Sequence, residues 1–174
     1  MSPRENRRTH VGQEERRIYR SHHFSVAISD GWQDKTIYTI GGPVTDGIQH
    51  NIVITVHPDV QVETLRDFAD WNIAAMKDAL KSCRLLKQAP ITLANGLPAY
   101  QAVFCWYPTD ELRLYQEQVY VLQEGTGYVL TASFTKKTRK TLGPQVERMF
   151  LSFNPEKPPV MLDRGERRRD TGSP

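Results

Sequence analysis

Three strand-like runs lie almost end to end in this chain, Ala99 to Tyr107, Leu112 to Leu122 and Gly127 to Phe134, and they decide most of what it can fold into. The links between them, Pro108-Thr109-Asp110-Glu111 and Gln123-Glu124-Gly125-Thr126, are short and full of turn formers. Such links join antiparallel neighbours, because a parallel pair needs a crossover of about a dozen residues or more. The other elements must be arranged around one antiparallel sheet.

Earlier in the chain Phe24, Val26 and Ile28 alternate with Ser25 and Ala27, the period of a strand with one buried face, and Asp30-Gly31-Trp32 ends it in a turn. A second strand is predicted from Lys35 to Ile40, closed by Gly41-Gly42-Pro43. A third runs from His50 to His57, where Ile52, Ile54 and Val56 alternate with Asn51, Val53 and Thr55. A helix is predicted from Val62 to Leu80, since Val62, Leu65, Ala69, Ile73, Met76 and Leu80 keep the three-and-four spacing of one apolar stripe. Trp71 falls roughly opposite that stripe, about 200 degrees around the helix from Ala69. A loop containing Pro90 and Asn95-Gly96-Leu97-Pro98 leads into the three runs above. A closing helix, about Thr141 to Ser152, turns Leu142, Val146, Met149 and Phe150 inward and tolerates Pro144 in its first turn. Strands, a helix, more strands and a final helix make an α+β fold, an antiparallel β-sheet with helices packed on it. The order lacks the strand-helix alternation of a parallel nucleotide-binding sheet.

With 174 residues, 39% of them hydrophobic, the chain can bury one core of ordinary size. The net charge of +3 is concentrated at the ends, with Arg4, Arg7, Arg8, Arg16, Arg17 and Arg20 before the first strand and Arg164, Arg167, Arg168 and Arg169 in the last stretch. Arginine clusters without apolar residues between them read as solvated arms. The division expected is therefore a basic arm over 1–18, a folded domain over 19–155 and an arginine-rich tail over 156–174. No basic stripe with flanking aromatics falls on the folded part, so nucleic acid is not an expected partner. The amino terminus has charge but no apolar run behind it, and nothing later reaches the length of a membrane span. A cytoplasmic protein without a membrane anchor is expected.

Residues with chemistry are present but not grouped as catalysis requires. Gly41-Gly42-Pro43 is followed by a strand, whereas a phosphate cradle opens a helix. His10, His22, His23, His50 and His57 form no helical pair, and Cys83 and Cys105 form no Cys-x-x-Cys, so no metal site or disulfide is indicated. No Gly-x-Ser-x-Gly elbow occurs, and Cys105 sits mid-strand between Phe104 and Trp106 as an inert core thiol. A non-enzyme without cofactors is expected. The long strand instead mixes apolar and polar groups on both faces: Leu112, Leu114, Gln116, Gln118, Tyr120 and Leu122 on one, Arg113, Tyr115, Glu117, Val119 and Val121 on the other. With helices over one side of the sheet, the other side would form a groove for an apolar helix carrying a few polar atoms, because glutamine both donates and accepts; the alternative is a core covered on both sides.

Three segments resemble a known family. Phe24-x-Val26-x-Ile28 followed by Asp30-Gly31-Trp32-Gln33-Asp34-Lys35-Thr36-Ile37 looks like the opening of DcrB-like proteins with a PsbP-like fold, and within them of the Eag chaperones. Leu65-x-x-Phe68-Ala69-Asp70 and Gln116-Glu117-Gln118-Val119-Tyr120 agree in order and spacing, the latter similar to that group's Arg-Gln-Val-Phe. The resemblance spans about Tyr19 to Pro155. It implies a dimeric cytosolic chaperone that shields the amino-terminal transmembrane helices of a type VI secretion effector before loading on the VgrG spike. It also implies partner-binding positions at Ile37, Thr39, Val53, Thr55, Gln116, Gln118 and Tyr120, with Gln118 hydrogen-bonding the bound helix. Ala75 stands where the group tends to have glutamine, which removes one polar contact. Other readings are a DcrB-like binding protein of undefined role in the cell envelope and a small-molecule binder or enzyme using the same cleft.

Overall fold

The computed structural model describes residues 17–21 and 23–156; the expected arm up to 16 and the tail from 157 lie outside them. The chain forms two compact units that divide between Thr36 and Ile37. In the first, β1 (Arg17–Arg20) and β2 (Ser25–Ile28) pair antiparallel with Tyr19 opposite Val26. Strand β1 begins two residues inside the expected arm. Its loop is held by Ser21, whose Oγ accepts the backbone N–H groups of His23 and Phe24, both at 3.1 Å.

The second unit contains a six-stranded sheet. Its strands are β3 (Ile37–Thr45), β4 (Ile48–His57), β5 (Arg84–Thr92), β6 (Pro98–Trp106), β7 (Leu114–Gln123) and β8 (Thr126–Phe134), in the order β3-β4-β8-β7-β6-β5 with every pair antiparallel. Helix α1 (Leu65–Ala79) follows β4, while α2 (Lys136–Thr141) and α3 (Gly143–Leu151) follow β8. This is the α+β architecture expected, with β6, β7 and β8 as consecutive antiparallel neighbours. Two hairpins close through the left-handed pairs Asp46-Gly47 and Glu124-Gly125, whose positive φ angles match the twist of the strands they join.

Three boundaries differ from expectation, each for a local reason. Strand β3 does not stop at Gly41-Gly42-Pro43 but passes through it as a bulge, the register to β4 shifting between Gly41 and Val44. Proline lacks an N–H, which an edge strand tolerates at a bulge. The stretch read as a loop around Pro90 is β5, the opposite edge strand, with Pro90 facing Tyr100 across the ladder. The closing helix is two helices: Thr135 and Thr138 form a capping box that opens α2, and Leu142 ends it before Pro144 enters the first turn of α3.

Helices cover both faces of the sheet, the alternative to the one-sided arrangement on which the groove reading rested. Helix α1 lies across β6 and β7, burying Phe68, Ala69 and Ile73 against Tyr100, Ala102, Phe104 and Tyr120. Helices α2 and α3 lie on the other face, where Phe150 meets Val119, Val121, Leu130 and Phe134. Met149, expected inside, is 39% exposed. Both faces of β6 are consequently buried, Cys105 included, as its mid-strand position suggested.

Candidate functional site

Residues in register across a sheet share a face, and the strand pairings put the seven expected binding positions on one. One row runs Tyr100, Tyr120, Val129, Thr55, Ile37 from β6 to β3; the next runs Ala102, Gln118, Thr131, Val53, Thr39. Gln116 lies in a third row between Phe104 and Ser133. Helix α1 occupies this face over β6 and β7. Each row therefore begins beneath the helix and ends at the β3 edge.

Accessibility changes along the rows in the same sense. Ile37 is 62% exposed, Thr39 is exposed, and Val53, Thr55 and Thr131 are half-buried. Gln116, Gln118 and Tyr120 are buried. Tyr120 lies under Phe68, their rings meeting edge-on at 6.4 Å, and cannot touch a partner. Its hydroxyl donates to Gln118 Oε1 at 2.5 Å, and Gln118 Nε2 donates to Thr131 Oγ1 at 3.1 Å. Burial pushes the Tyr120 phenol far above its ordinary range, so it remains a donor. Gln118 is thus oriented from below, and its expected bond to a bound helix requires the second amide hydrogen or exchange of the Thr131 contact.

Two aromatic residues not assigned from the sequence complete the open part. His57 lies on the same face at the end of β4, its Nε2 3.2 Å from Thr55 Oγ1, and burial lowers its pKa. Trp71 of α1 is 57% exposed and meets His57 edge-on at 6.3 Å. Ala75 is exposed one helical turn beyond Trp71, so the missing glutamine would have stood on the tryptophan's side of α1. Trp71 had a signal in the sequence, its place opposite the apolar stripe; His57 had none, since its role depends on which helix side chains reach the end of its strand.

The open region offers aliphatic surface, hydroxyls, an imidazole and an indole. Among the described residues no group of three or more His, Cys, Asp or Glu side chains could hold a metal ion. Among them also, no helix is long and apolar enough to cross a membrane.

An antiparallel sheet carrying helices on both faces, with one sheet face left partly open beside α1, defines an α+β domain with a candidate binding surface. The chain belongs to the DcrB family, whose family model matches residues 24–149. It is similar in structure to PA94, a Pseudomonas aeruginosa protein of unknown function, with a TM-score of 0.65 and 19% identity over 82% of this chain and 99% of that one. The cyanobacterial PsbP of Synechocystis sp. gives a TM-score of 0.48 at 13% identity, over 85% of this chain and 96% of that one. LpqN of Mycobacterium tuberculosis, described as involved in cell envelope biogenesis, gives 0.45 at 16% identity, over 63% of this chain and 65% of that one. No curated protein matches the chain.

Proposed function

We propose that this DcrB-family chain is a chaperone of the Eag type, a cytoplasmic homodimer that holds the amino-terminal transmembrane helices of a type VI secretion effector until the effector is loaded on the VgrG spike. The observation that carries the reading is the gathering of the seven motif-derived positions on one sheet face, with Ile37, Thr39, Val53 and Thr55 at its accessible end. An apolar segment of about 20 residues aggregates in water unless its surface is covered. Ile37 and Val53 supply cover, and the Thr39, Thr55 and Thr131 hydroxyls beside the oriented Gln118 supply partners for polar atoms along such a helix.

Co-expression with the amino-terminal segment of an effector encoded beside this chain, followed by affinity capture, tests the reading. Wild type is expected to keep the segment soluble and to carry it through purification. Ile37→Asp, which places a charge on a side chain that is already 62% exposed, is expected to lose it while melting normally. Normal solubility and secretion of that effector in a strain lacking the chaperone would overturn the assignment. Recovery of the protein from the periplasm would favour an envelope binding role within the same family.

A further inference from the structure

The six-stranded sheet has two edges, and the sequence treats them differently. Strand β5 carries Arg84 and Lys87, both exposed, and Pro90, which offers no N–H, so that edge is guarded against pairing with another strand. Strand β3 runs for nine residues without one charge, and among the described residues no strand pairs with its outer side. It displays apolar side chains on both faces. Ile37 is 62% exposed on the face of the candidate site, and Tyr38 and Ile40 are 54% and 49% exposed on the other. A free edge of that composition is a template for a further strand, because its outward N–H and C=O groups lie in a row with no charge to repel a partner.

The strand also limits what can pair with it. Its regular ladder to β4 runs from Ile37 to Gly41 and is then broken by the bulge before Val44. Two copies related by a twofold axis pair antiparallel, and the one register that uses the whole of Ile37 to Gly41 sets Thr39 opposite Thr39, Tyr38 opposite Ile40 and Ile37 opposite Gly41. An aromatic beside a β-branched residue and a threonine pair are favourable cross-strand neighbours, and no like charges meet. Burying Ile37, Tyr38 and Ile40 of both copies at about 100 Å² each, together with the facing backbone, closes roughly 1,000 Å², the lower bound for a specific interface.

The geometry points to a second copy of this chain as the occupant of that edge: β3 pairs antiparallel with β3 about a twofold axis at Thr39, and two six-stranded sheets become one continuous sheet. The inference rests on the chaperone reading only for the homodimer, which it supplies with an interface, and not for the effector. An axis perpendicular to the sheet keeps like faces together, so the accessible ends carrying Ile37, Thr39, Val53 and Thr55 meet at the axis. Strands β4 and β3 of both copies, spaced about 4.8 Å, then form an open floor about 19 Å wide, enough for two helices packed about 8–10 Å apart.

Sedimentation velocity and disulfide trapping of the full chain test the proposal. Wild type is expected to exchange between monomer and dimer at about 10–100 μM, as suits so small an interface. Ile40→Lys, on the face away from the candidate site, is expected to weaken dimerisation about tenfold or more while melting normally. Thr39→Cys is expected to form a linked dimer with oxidised glutathione, since opposed Cα atoms lie about 4.5–5.5 Å apart. Ile37→Cys is not, because its two copies lie about 13 Å apart along the strands. Wild type, with Cys83 half-buried and Cys105 buried, sets the background. A monomer at every concentration, no link in Thr39→Cys, a link in Ile37→Cys formed as fast, or a dimer untouched by Ile40→Lys would overturn the pairing, as would a monomer whose β3 edge is covered only by a strand of a captured segment. A monomer that captures the effector segment would remove this interface alone, whereas a linked Thr39→Cys dimer that captures none would support the interface and remove the effector reading alone.

Discussion

The ring of Phe68 lies over Gly127, its Cε2 2.6 Å from where a Cβ on that glycine would stand. This contact sets how closely α1 approaches β8, and so where the covered part of the sheet face gives way to the open part. Gly127→Ala is expected to lower stability by about 1–3 kcal/mol, the cost of overpacking a filled site. Urea denaturation checks it against Gly143→Ala, whose added Cβ meets nothing within 4 Å and which is expected to be neutral or slightly stabilising.

Tyr120→Phe leaves Gln118 Oε1 buried without its donor. A loss of about 1–2 kcal/mol is expected by denaturant melting. Effector capture is expected to weaken in the same variant, because Gln118 is then no longer held toward Thr131.

Burial raises the Glu117 pKa on the opposite face, against the lowering effect of the Gln101 amide, which donates to it at 2.7 Å. A carboxyl group with a raised folded-state pKa binds its proton more tightly folded than unfolded. Its favourable contribution is fully present below the ordinary value of 4.5 and is lost as pH rises through the folded pKa. Glu117→Gln is therefore expected to be more stable than wild type at pH 7, with the advantage shrinking below pH 4.5. Thermal melts at the two pH values read this.

Trp71 stands half out of α1 against His57. Trp71→Ala is expected to change stability by less than about 1 kcal/mol, because most of the side chain is already in solvent, while weakening capture of the apolar segment several-fold. An unchanged capture yield would remove Trp71 from the binding surface.

The sheet was legible because the β6–β8 run has short polar links that permit only hairpins. Strand β5 was not, since Pro90 and the charged and amide residues around it obscure an edge strand whose outer side needs no ladder partner. Periodicity likewise could not place helices on both faces: Gln101, Glu117 and Gln118 look like surface residues along the chain, yet the first and last are buried and Glu117 is half-buried under neighbouring packing. For the candidate site, the positions taken from the motifs fall on one sheet face, but their accessibility depends on where α1 lies. Tyr120, Gln116 and Gln118 consequently form its buried floor, with only the β3 and β4 positions open.

The most direct measurement is amide hydrogen exchange, read by mass spectrometry, on the chain alone and in complex with the apolar amino-terminal segment of the proposed effector. Binding on the open sheet face is expected to slow exchange in β3 over Ile37–Thr45 and in the Trp71 turn of α1, leaving α2 and α3 unchanged. Slowed exchange confined to α2 and α3, or none in β3, would contradict the assignment of that face.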